Sequence, residues 1–161
     1  MQKFSNFKSN FKKYNEQQNV LRPQAQSDVE TNVEKSDVAK FISKLFEARE
    51  MAHVFHLQVN GDVGSHAIHT ALGEFYESLI GFIDELTEVY QGQYGLVENY
   101  DVIDTSSARE RQYIPYFESL AEFIKTNKQS SFQSEDTHLQ NIIDEISALN
   151  YRLLYKLKFN K

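Results

Sequence analysis

Four stretches of this sequence carry apolar residues at intervals of three and four, the repeat of one face of an α-helix. The first is Phe41, Leu45, Ala48, Ala52, Phe55 and Val59. The second is Ile68, Leu72, Phe75, Leu79, Phe82, Leu86 and Val89, and the third Phe117, Leu120, Ala121 and Ile124. The fourth runs from Leu139 through Ile142, Ile143, Ile146, Leu149 and Leu153 to Leu157. An apolar stripe must be buried against another element, so four of them within 161 residues predict one all-α domain around a shared core. Two prolines and six glycines leave few places for a chain of many short strands to turn.

The punctuation sets the boundaries. Ser36 and Asp37 read as a helix start, and the first helix is expected over 36–60. Asn60-Gly61-Asp62-Val63-Gly64 is a turn, after which Ser65 opens a second helix to about Gln91, with Gly92 beyond it. A long connection covers 92–112. The third helix is expected over 113–127, with Pro115 tolerated near its first turn. A turn at 130–134 leads into a last helix opened by Ser134, Glu135 and Asp136. Short turns make neighbouring helices antiparallel, and a long link between helices two and three is what a ferritin-like crossover requires. Residues 36–161 are thus expected to form an antiparallel, ferritin-like four-helix bundle. Residues 1–35 form a polar, basic segment in which Phe4, Phe7, Phe11 and Tyr14 make one face of a short amphipathic helix.

Charge and composition narrow the function. The chain has no cysteine, which excludes disulfides, thiolate metal sites and cysteine nucleophiles. It lacks the roughly 18-residue apolar run of a membrane span, and its first residues lack the apolar core of a signal peptide. A cytoplasmic location is expected. The net charge of -6 conceals basic ends, with Lys3, Lys8, Lys12 and Lys13 at one and Arg152, Lys156, Lys158 and Lys161 at the other. An acidic body suits cations, whereas basic ends suit DNA phosphates or another anionic partner. No glycine-rich phosphate loop or nucleophile elbow is present, so nothing points to a nucleotide-binding enzyme, a kinase or a hydrolase.

The histidines carry the chemistry. His53, His56, His66 and His69 fall within seventeen residues around one helix–helix corner. Glu50-x-x-His53 has the spacing of carboxylate–imidazole pairs in metal-binding bundles, and Glu135-x-x-His138 repeats it. On the second helix, His66, His69, Gly73, Glu77, Asp84 and Glu88 share a flank outside the core stripe. Asp84 and Glu88, one turn apart, can address one cation, but His69 lies about four turns away. Two copies of this helix packed antiparallel about a two-fold axis would bring the His end of one to the Asp/Glu end of the other. The mixed nitrogen and oxygen donors then suit iron or zinc.

Residues 56–92 resemble the first two helices of the Dps-type mini-ferritins. His56-Leu57-Gln58-Val59-Asn60-Gly61 resembles that family's His-Trp-Asn-x-x-Gly element, His69 its second histidine, and Asp84-Glu85-Leu86-Thr87-Glu88 its Asp-x-x-x-Glu pair. The resemblance implies an inter-subunit ferroxidase site at His56, His69, Asp84 and Glu88, in an oligomer of up to twelve chains. His53 and His66 are extra to the family's pattern and, with Glu50 and Glu77, are additional metal candidates read from this sequence itself. The sequence departs where the family has a further acid, here Gly73, and where it has the Trp, here Leu57. The stretch is also similar to uncharacterised phage-encoded proteins sharing a His-x-x-His-Leu-Gln opening, here His53 to Gln58, and a Tyr-Gln-Gly end at Tyr90-Gln91-Gly92. Two functions are therefore expected to compete. One is a metal-binding oligomer that oxidises Fe(II), protective or DNA-associated through Lys3, Lys8, Lys12 and Lys13. The other is a structural or assembly protein, of a virion if phage-encoded, that keeps the bundle with structural zinc or no metal.

Overall fold

The structure, a computed structural model, describes residues 35–61 and 65–159. Among these residues there are four α-helices and no strand: α1 (Lys35–Gln58), α2 (Ser65–Tyr94), α3 (Tyr113–Ser131) and α4 (Thr137–Phe159). A short 3-10 turn at Ser106–Glu110 interrupts the connection between α2 and α3. No helix among them is long and apolar enough to cross a membrane. The basic segment with Phe4, Phe7, Phe11 and Tyr14 lies outside the described residues.

The four stripes meet in one core. Phe41, Leu45, Leu72, Phe75, Leu79, Phe117, Leu120, Leu139 and Ile143 are buried together, each large side chain contributing roughly 2 kcal/mol by leaving water. α1 packs on α2 and α3, and α4 packs on the same two helices. The rings of Phe75 on α2 and Phe117 on α3 meet across the centre, 5.1 Å apart. Which residues meet shows how each helix runs beside the next. Phe55, late in α1, meets Tyr113 and Phe117 at the start of α3, whereas Phe41 meets Phe123 further along it. Likewise Tyr94, the last residue of α2, reaches Asp136 just before α4, and Glu74 pairs with Lys156 near the far end of α4.

The connection returns along α1. Gly95, in the left-handed region at φ 84°, closes α2 by donating its N–H to the Gln91 carbonyl at 2.9 Å. The Asp101 N–H donates to the buried Ser43 hydroxyl of α1 at 2.8 Å. Tyr100 lies against Phe46, and the Ser107 hydroxyl points at the Met51 sulfur. Asp104 accepts from the Ser106 N–H and hydroxyl at 2.8 and 3.0 Å, bonds that lower its carboxyl pKa.

Sequence and structure differ in detail. α2 runs through Gly92 to Tyr94, α3 continues to Ser131 rather than 127, and α4 starts at Thr137. The buried stripe of α2 is Leu72, Phe75, Leu79, Ile83, Leu86 and Tyr90, while Val89 is exposed and Phe82 and Ile68 only half-buried. The expected stripe stepped strictly by four and three, a period of 3.5. A straight helix has 3.6 residues per turn, so over a helix of 30 residues the core drifts onto Ile83 and Tyr90.

Candidate functional site

The corner between α1 and α2 brings His56 and His69 face to face. Their rings stack with centroids 3.6 Å apart and planes 25° from parallel. His56 Nδ1 lies 2.8 Å from the His69 carbonyl oxygen, and His69 Nδ1 lies 3.1 Å from the His56 carbonyl oxygen. A carbonyl only accepts, so each Nδ1 carries a proton and donates it. In the neutral rings each Nε2 then keeps its lone pair, the tautomer fixed by a backbone carbonyl that metal-ligating imidazoles use.

Gly73 lies against this pair. It is buried, and a Cβ there would sit 3.4 Å from both Cε1 and Nδ1 of His56. Any side chain at this position would start in contact with the His56 imidazole. The nearest carboxylate on the helix, Glu74, is engaged by Lys156 of α4.

The other candidates fall around this pair. The half-buried His53 packs its ring on Tyr76 at 4.6 Å, and Tyr76 meets His56 edge-on at 5.4 Å. The Arg49 guanidinium lies 5.9 Å over the same tyrosine ring and is ion-paired with Glu50. Glu50 is therefore tied to a cation, and His53 sits in an aromatic stack. His66 and Glu77 are exposed. Asp84 and Glu88 are also exposed, one turn apart. Asp84 follows His69 by fifteen residues, a rise of about 22 Å along the helix. Among the described residues no three His, Asp or Glu side chains stand close enough to hold a metal ion within one chain. Lys3, Lys8, Lys12 and Lys13 lie outside the described residues.

Two polar clusters carry no periodic signal in the sequence. At the junction of α2 and α4, the buried Asp136 accepts from the Tyr94 hydroxyl at 2.5 Å and from Gln93 Nε2 at 2.9 Å. His138 completes it, its Nε2 donating to Gln93 Oε1 at 2.9 Å. Burial, followed by the bond to Asp136, pushes the Tyr94 phenol up to about 12. Between α1 and α3, the Tyr116 hydroxyl donates to Glu47 at 3.0 Å, and Lys44 neutralises that carboxylate at 2.5 Å. Burial, with Glu47 adding to it, raises the Tyr116 phenol well above its ordinary value. Tyr76 had a weak signal, two helical turns beyond His69 on one face.

The chemistry on offer is thus two pre-set imidazole donors at one end of α2 and two carboxylates towards the other. Imidazole nitrogens and carboxylate oxygens suit divalent transition metals, but the two pairs stand too far apart to share one ion within a single chain. No curated protein and no solved structure matches the chain. Residues 56–157, from the first histidine of the stacked pair to near the end of α4, match the pattern of a family of unknown function. That match spans well over half of the chain, which therefore belongs to the family of unknown function DUF5856.

Proposed function

We propose that this chain is a ferritin-like, metal-binding bundle whose copies pair through α2, holding a divalent cation between His56 and His69 of one copy and Asp84 and Glu88 of the other. The observation that carries the reading is the reciprocal anchoring of the two imidazoles, each Nδ1 on the other's backbone carbonyl. That anchoring leaves both Nε2 lone pairs available and spends no rotamer freedom on binding. Two-fold pairing of antiparallel α2 helices supplies the carboxylates and makes two equal sites. The contacts between helix ends support an antiparallel, ferritin-like arrangement, with the long connection crossing from one end to the other. Fe(II) is the substrate that this donor set suits, and bound iron supplies redox chemistry towards dioxygen or peroxide. The four donors favour one ion per site over a two-iron centre.

The test is an anaerobic Fe(II) titration of the purified protein with its mass measured in solution, beside His56→Ala and Asp84→Ala. The expected result is saturable binding at one ion per chain, in an assembly of even-numbered copies. Each variant should weaken binding at least about tenfold. A monomer without uptake, or uptake indifferent to both substitutions, sinks the reading. The competing function is a metal-free scaffold, favoured by exposed Leu96 and Val102 on the connection, 69% and 92% accessible. That second outcome would select it.

A further inference from the structure

We infer that the outward face of α4 is a seam that pairs with the same face of a second copy, independently of any metal at α2. Ala148, Tyr151 and Tyr155 recur at three and four residues, with Phe159 one turn further on. Tyr151, Tyr155 and Phe159 are 55%, 61% and 68% exposed, and the last two rings touch at 5.5 Å. Beside them Glu118, Ala121 and Glu122 of α3 form, with Tyr151, Leu154 and Tyr155, an open groove. At 150–250 Å² for a fully buried aromatic, the three rings offer about 350 Å², near half of the roughly 800 Å² that each partner buries in a standard interface. Exposed aromatics beside lysines also suit nucleic acid, but here Lys156 is paired with Glu74 and Lys158 with Glu118. These two lysines are therefore neutralised and the centre is apolar, with charge of both signs left at the rim, the anatomy of a protein contact.

The rim charges say which protein. Arg152 stands on the α2 side of the stripe, lining a groove with Ala71 and Ser78. No described carboxylate is paired with it. Glu122 stands on the α3 side, held among the described residues by Lys125 alone, at 3.5 Å with both side chains well exposed. Glu118 meets Lys158, so Glu122, one turn later on α3, comes level with Arg152. A two-fold axis running along α4 lays the Arg152 rim of one copy over the Glu122 rim of the other. An axis across α4 would set Glu122 against Glu122. Spacing of three and four along a parallel helix pair is a self-complementary seam, so one sequence supplies both halves.

The experiment is sedimentation equilibrium of the full chain in a chelating buffer, which removes metal-dependent pairing through α2. A dimer is expected in the micromolar range. Tyr155→Glu should raise its dissociation constant at least about tenfold, with melting unchanged when both proteins are dilute enough to be monomeric, because the side chain is exposed in the single chain. Glu122→Arg and Arg152→Glu should each weaken the dimer, and the two together should restore it. A monomer throughout, or a dimer unmoved by Tyr155→Glu, overturns the proposal and gives the stripe to another protein. A dimer broken by Tyr155→Glu whose charge swap does not restore it overturns the parallel, two-fold pairing.

Discussion

Asp136 is a buried carboxylate, 6% exposed, that stands one residue before α4 and spends both oxygens on α2 rather than on its own helix end. The Tyr94 hydroxyl and the Gln93 amide each need that acceptor, since a donor left buried and unpaired costs about 1–3 kcal/mol. Asp136→Ala is therefore expected to destabilise the fold by about 2 kcal/mol, and Asp136→Asn, which keeps one acceptor, by about half as much, read by urea unfolding. The same bond has a sign in pH. The folded phenol at about 12 lies above its ordinary value of 10, so its contribution is complete below pH 10 and is lost as pH rises through 12. Tyr94→Phe should lack that alkaline loss. None of this was legible in the sequence, because Tyr94 and Asp136 are 42 residues apart and polar pairs carry no periodicity. His56 and His69 were legible as candidates from their positions near the two ends of one turn. Their mutual stacking was not, since it depends on how α1 and α2 pack at the corner, where each imidazole reaches the other's backbone carbonyl.

At the scale of the helix, Gly73 sets two effects against each other. Inside a helix glycine costs about 1 kcal/mol relative to alanine. A Cβ added here meets the His56 ring at 3.4 Å, ordinary van der Waals contact against a side chain that can tilt. Gly73→Ala should thus raise thermal stability by about 0.5–1 kcal/mol, whereas Gly73→Leu should force the histidine pair apart and destabilise. A drop in stability for the alanine variant would mean that the corner is packed more rigidly than its contacts imply. The four helices were readable because their apolar stripes are long. The starts at Ser65 and Tyr113 were readable too, but the far ends of α2 and α3 were not. The expected end at 127 and turn from 130 give way to a helix running to Ser131, because Asn127 and Ser130 bond back to helix carbonyls and Ser131 is buried with its hydroxyl on Asp37 of α1.

At the scale of the whole molecule, each short turn closes one pair of helices, α1 with α2 and α3 with α4, and the pairs then pack through α1 on α3 and α2 on α4. Order and loop lengths sufficed to anticipate this division from the sequence; the path of the connection along α1, fixed by Asp101 on Ser43, did not announce itself. The covalent thread between the two pairs passes through exposed Val102 and Ile103, where a protease finds accessible chain. A single cut there should leave two hairpins that co-purify, melt together and separate only in denaturant; fragments that part under native conditions would contradict it. Produced from two genes, the halves should find each other in the cell, which makes this connection a place where the protein can be split into a complementing pair or rejoined in another order.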